Sequence, residues 1–129
     1  MYVRFDASYK VDDRIIYGIF PIMGYLFDNY FTNEENGSIE DEQRLRELNE
    51  WFKYNLELPS RVRRNKNSKK PPTAVSWFKS TANEHIQNLR EISNIIQRYG
   101  VVVGFVRTEK PGYILYEDEY QVFAEPISE

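Results

Sequence analysis

Apolar and polar residues alternate from Tyr2 to Ala7, with Val3, Phe5 and Ala7 on one side and Tyr2, Arg4 and Asp6 on the other. A period of two predicts a strand with one solvated face. The polar stretch 8–17 then reads as a loop. From Gly18 to Phe31 the period lengthens: Ile19, Met23, Leu26 or Phe27, and Tyr30 recur at helical spacing, and Pro21 is compatible with a first turn. Gly24 weakens that helix.

Residues 32–37 are turn formers, and Ser38 stands as an N-cap, followed by Glu40, Asp41 and Glu42 where the helix dipole favours acids. The stripe Leu45, Leu48, Phe52 and Leu56, widened by Trp51, predicts a long helix ended by Pro59. Its outer face offers Glu40 to Arg44 and Glu42 to Arg46, four residues apart. Residues 60–72 carry no periodic pattern and read as a surface loop.

Thr73 to Lys79 reads as a short strand with Val75 and Trp77 on one face. Thr81 and Glu84 have capping-box spacing, and Ile86, Leu89, Ile92 or Ile96, and Tyr99 mark a helix that Gly100 closes. Strand 73–79, helix 81–99 and strand 101–107 form a plausible βαβ unit with parallel strands. Two more strands follow, 113–116 and 120–124. Pro111-Gly112 suits a type II turn between 101–107 and 113–116, since proline presets φ and glycine supplies a positive one. The pattern therefore predicts one α+β domain over 1–129: three helices on one face of a mixed sheet of about five strands, ending in an antiparallel meander. An open edge at the first or last strand could pair two copies.

Composition adds limits. With no cysteine among 129 residues, disulfides, thiolate metal sites and cysteine nucleophiles are excluded. No apolar run approaches a membrane span and the first residues do not resemble a signal peptide, so a cytoplasmic protein without membrane contact is expected. The ten tyrosines and eight phenylalanines suit half-buried strands. A net charge of −3 argues against a surface built wholly for nucleic acid. Its distribution is uneven: residues 61–70 hold six cations and no acid, while 34–41 and 117–119 are acidic.

Ser76-Trp-Phe-Lys79, Glu84-His-Ile86 and the run from Arg107 to Pro126 resemble a set of small bacterial proteins of unassigned function. The likeness covers about the second half of the chain. It implies a bacterial or mobile-element origin and carries no chemistry with it.

The basic run supplies the main functional candidate. Arg61, Arg63, Arg64, Lys66, Lys69 and Lys70, with Lys79 and Arg107 as outlying cations, would attract nucleic acid or an acidic partner protein. The expected function is a non-catalytic adaptor or inhibitor, with no cofactor and no metal; a solvated loop on a structural protein is the plain alternative. Arg107 and Lys110 could join Lys79 in an anion site if strands 73–79 and 101–107 are parallel neighbours. A third reading is a small metal-dependent hydrolase or nuclease using His85, Asp118 and Glu119, with Asp6 and Lys79 converging on them. No phosphate-binding glycine loop, HExxH or nucleophile-elbow pattern is present.

Overall fold

The computed structural model describes residues 1–32, 37–57 and 74–127. Its elements run β1 (Tyr2–Val11), β2 (Arg14–Tyr17), α1 (Ile19–Tyr25), α2 (Ile39–Asn55), β3 (Val75–Lys79), α3 (Asn83–Gln97), β4 (Val102–Thr108), β5 (Tyr113–Glu117) and β6 (Gln121–Glu125). The alternation that starts at Val3 runs on through Tyr9, so the loop expected over 8–17 is a hairpin instead. Asp12 turns the chain with φ of 56°, a left-handed conformation that a short polar side chain tolerates, and β2 returns along Ser8–Val11.

β1 is the hub of the sheet. β4 lies along one of its edges from Tyr2 to Ser8, while β3 and β2 share the other edge, β3 at Tyr2–Val3 and β2 at Ser8–Val11. The sheet continues from β3 to β6 and then β5, and every ladder is antiparallel. The α+β class holds, with helices on one face and an antiparallel pair at the C-terminus. Two expected pairings do not. β3 and β4 form no βαβ pair, because β1 stands between them and takes both as antiparallel neighbours. The meander loses its first ladder, because β4 spends its pairing on β1 and leaves β5 to β6. The first strand is thus interior, and β2, β4 and β5 each pair on one side only.

That topology forces the sheet to curl. β4 and β5 stand four strand positions apart, which on a flat sheet is about 19 Å. Thr108 is also level with Tyr2, whereas Tyr113 is level with Glu125 at the far end of β6, so the flat distance would be larger still. Five Cα steps from 108 to 113 reach about 18 Å at most. The sheet closes the gap by wrapping around Trp77, which packs with Val122 and Ala124 of β6 and is flanked by Tyr2, Val75 and Val106. Gly112 shows how tight the crossing is: its φ is 115°, and a Cβ there would lie 2.2 Å from the Glu125 carbonyl oxygen.

The other face carries the helices. Ile22, Met23, Leu26, Leu45, Leu48, Phe52, Leu89, Ile92 and Ile96 are buried against Val3, Ala7, Phe78 and Val101. At about 1.5–3 kcal/mol for each large side chain withdrawn from water, this layer dominates stability. α1 runs directly into a π turn over Leu26–Tyr30, where the Phe31 N–H reaches the Leu26 carbonyl oxygen at 2.9 Å. Ser38 caps α2 as expected, its Oγ accepting from the Asp41 N–H at 3.2 Å. The Thr81 capping box does not form. A tight turn joins the Lys79 carbonyl to the Ala82 N–H at 2.9 Å, so buried Ala82 takes the cap position and the Thr81 carbonyl accepts from Asn83. Gly100 ends the turn after α3 with φ of 90°. Pro59 lies outside the described residues.

Two glycines should respond oppositely to an added methyl. Gly112→Ala is expected to cost about 2 kcal/mol or more, from backbone strain and collision with β6. Gly24→Ala, with nothing within 4 Å of the new Cβ in α1, should gain about 0.5–1 kcal/mol. Urea denaturation of the two variants checks both signs.

Candidate functional site

The acidic helix α2 is already supplied with cations from the folded body. Asp41 takes the Arg98 guanidinium at 2.7 Å and the Tyr99 hydroxyl at 2.5 Å. Glu42 pairs with Arg46 at 2.8 Å, one turn on, as the spacing predicts. The expected Glu40–Arg44 pair is absent: Glu40 accepts from its neighbour Ser38 Oγ, and Arg44 reaches Glu47 at 3.1 Å and Glu91 of α3 instead. Hydrogen bonding from Arg44 holds the Glu91 carboxyl below the usual range. Burial, aided by the bond to Asp41, pushes the Tyr99 hydroxyl up. These contacts stitch the outer faces of α2 and α3 together.

Arg61, Arg63, Arg64, Lys66, Lys69 and Lys70 lie outside the described residues. The described chain on either side of them meets β6. At one end the Glu57 carbonyl oxygen accepts from the Gln121 side chain at 2.7 Å, and at the other Val75 enters β3 beside β6.

The outlying cations do not converge. Lys79 shares the Trp77 face of the sheet and pairs with Glu117 at 2.6 Å. Arg107, opposite buried Val3, is on the helix face, with its guanidinium 5.1 Å from the Phe105 ring centroid. The anion site suggested for Lys79, Arg107 and Lys110 fails for that reason: the antiparallel arrangement places Lys79 and Arg107 on opposite faces. A residue with no sequence signal joins Arg107 instead. Arg90 of α3 lies 5.0 Å from the same ring, and among the described residues neither arginine has an acidic partner.

Two of the three hydrolase candidates, His85 and Asp118, are engaged in packing and internal hydrogen bonds. His85 is buried, and its Nε2–H donates to the Asn55 carbonyl oxygen at 2.8 Å, closing the C-terminal end of α2. Its ring lies 4.3 Å from Tyr120 and 4.7 Å from Trp51, an aromatic stack joining α2, α3 and the β5–β6 hairpin. Asp118 spends both oxygens inside that hairpin, accepting from the Tyr120 and Gln121 N–H groups, the Gln121 side chain and the Tyr116 hydroxyl. Burial alone would raise its pKa, but these donors together lower it. Glu119 is exposed and, beside Tyr120, raises that hydroxyl's pKa through its charge. Asp6 is held by Arg4 at 2.6 Å, while Lys79 reaches the hairpin through Glu117, not through Asp118 or Glu119. Among the described residues no three His, Asp or Glu side chains gather as a metal site.

One concavity interrupts the sheet. β2 and β3 leave Arg4–Ala7 of β1 without a strand partner on that edge, and a crevice of about 470 Å³ opens there, walled by Tyr17, Gly18, Val75 and Ser76. Arg4 lies over the Trp77 ring at 4.4 Å, and the indole Nε1 is buried with no hydrogen-bond partner among the described residues. The ladder would have paired Phe5 with Ser76 had it continued in register.

Comparison with protein-family models, curated proteins and solved structures yields no match.

Asp118 should behave as a structural carboxylate. Asp118→Ala is expected to cost about 1–2 kcal/mol at pH 7 from four lost hydrogen bonds. Because the folded pKa is depressed below the ordinary 3.8, that contribution is complete above about pH 4 and disappears as pH falls through the folded value. The gap between wild type and variant, measured by urea titration from pH 7 to pH 3, should narrow at the acid end.

Proposed function

We propose that this chain is a non-catalytic binding protein that engages nucleic acid or an acidic partner protein through the cations of residues 61–70. The observation supporting this reading most directly is the pairing already present on α2. Asp41, Glu42 and Glu47 of the acidic helix are already paired with Arg98, Arg46 and Arg44. Those three acids therefore do not call on the six cations of residues 61–70 as partners. Such a stretch gains free energy chiefly by releasing counterions from a polyanion, so its binding weakens steeply with salt. A bacterial or mobile-element inhibitor that docks on a nucleic-acid machine is the biological form we favour.

The hydrolase alternative is less favoured by the geometry. His85 and Asp118 are committed to packing and hairpin hydrogen bonds, Lys79 is paired with Glu117, and Asp6, the further acid it would need, is ion-paired to Arg4.

The test is anisotropy titration of a labelled single-stranded oligonucleotide and, separately, an acidic peptide. Replacing Arg63, Arg64, Lys69 and Lys70 by Gln should weaken binding to whichever probe is the better ligand and reduce the oligonucleotide salt slope by roughly 3. Glu119→Gln should change neither affinity. Equal affinities for wild type and the fourfold variant would refute the reading, and a divalent-dependent hydrolytic activity abolished by Glu119→Gln would replace it.

A further inference from the structure

Two edge strands of the sheet, β4 and β5, are finished differently. On β1, the carbonyl oxygens of Met1 and Ala7 accept from Ser80 and Gly18, so its odd-numbered residues direct their backbone groups away from β4. Even residues therefore make the bonds to β4, and by the alternation of an antiparallel ladder Val103, Phe105 and Arg107 present their N–H and C=O groups outward. Nothing among the described residues covers them. The ladder behind this edge is regular over all seven residues of β4, and the strand contains neither proline nor lysine. β5, the opposite edge, is broken by a bulge between Ile114 and Tyr116, a common protection against strand addition. β4 has no such protection, and Val102 is 68% exposed and Phe105 38%.

Charge selects the occupant. Arg90 and Arg107 lie over Phe105 while the acids nearest to them in sequence are engaged elsewhere, Glu91 with Arg44 and Glu109 with the N-terminal ammonium. A second copy paired through β4 about Phe105 would bring two such arginine pairs around one axis, and like charges across a strand pair repel. An extended segment with carboxylates on alternate residues would satisfy the open backbone groups and both guanidiniums together. We propose that the outer edge of β4 takes up an acidic, extended segment of a partner protein as an added strand, its carboxylates meeting Arg90 and Arg107. This surface is separate from residues 61–70.

The probe is a capped seven-residue peptide in which Glu alternates with Val and Thr. Amide hydrogen exchange is followed by NMR on the full chain and on the full chain with all six cations of residues 61–70 replaced by Gln, which leaves the probe no basic segment to bind. In both proteins the peptide should slow exchange at Val103, Phe105 and Arg107. A peptide with Lys in place of Glu should not, and Arg90→Gln with Arg107→Gln should weaken binding roughly tenfold. The proposal is overturned if the three amides stay unprotected at about 1 mM peptide, if the Lys peptide protects them equally, or if they are protected without peptide in a concentration-dependent dimer.

Discussion

The whole arrangement depends on β1 being paired along both edges at once. Its seven-residue ladder with β4 and its divided ladder with β3 and β2 bring the first residues of the chain into contact with three later parts of it. Such non-local pairing carries a large loop-closure cost before it is rewarded. The reward comes from the layer beneath: Val3 and Ala7 face buried side chains from all three helices. Strand pairing and helix packing are therefore one cooperative event here.

A second set of contacts fixes where the helices end. His85 closes α2 through the Asn55 carbonyl and stacks on Tyr120, while Gln121, buried in β6, joins the Glu57 carbonyl to Asp118. Buried polar groups of this kind are costly unless satisfied, and here each of these named bonds lies between elements distant in sequence or within the hairpin that carries them. The residues that looked most chemical are thus used to hold the C-terminal end of α2 against the β5–β6 hairpin.

Much of the fold was legible locally. The stripes at Leu45, Leu48 and Phe52 and at Leu89, Ile92 and Ile96 are buried as their spacing requires, Ser38 caps α2, and Gly100 and Gly112 adopt positive φ. Periodicity and capping are properties of a few neighbouring residues, so they survive folding. What failed involved choices between partners. Val102–Thr108 reads equally well as a strand beside β3, β5 or β1, and nothing within it states which. Arg44 had Glu40 at the favoured spacing but found Glu91 across the helix interface. Thr81 had the capping-box spacing and lost the position to the geometry of the preceding turn.

Residue order by itself determined most of the element types, the buried stripes, the α+β class and the concentration of cations in 61–70, because each follows from the chemistry of side chains close together in the chain. Tertiary structure alone decided the strand order, the curl around Trp77, the burial of His85, the consumption of Asp118 within its hairpin and the meeting of Arg90 with Arg107 over Phe105. Each of those depends on which surfaces find one another in three dimensions, where competition among many near-equal partners is settled by the packing of the whole.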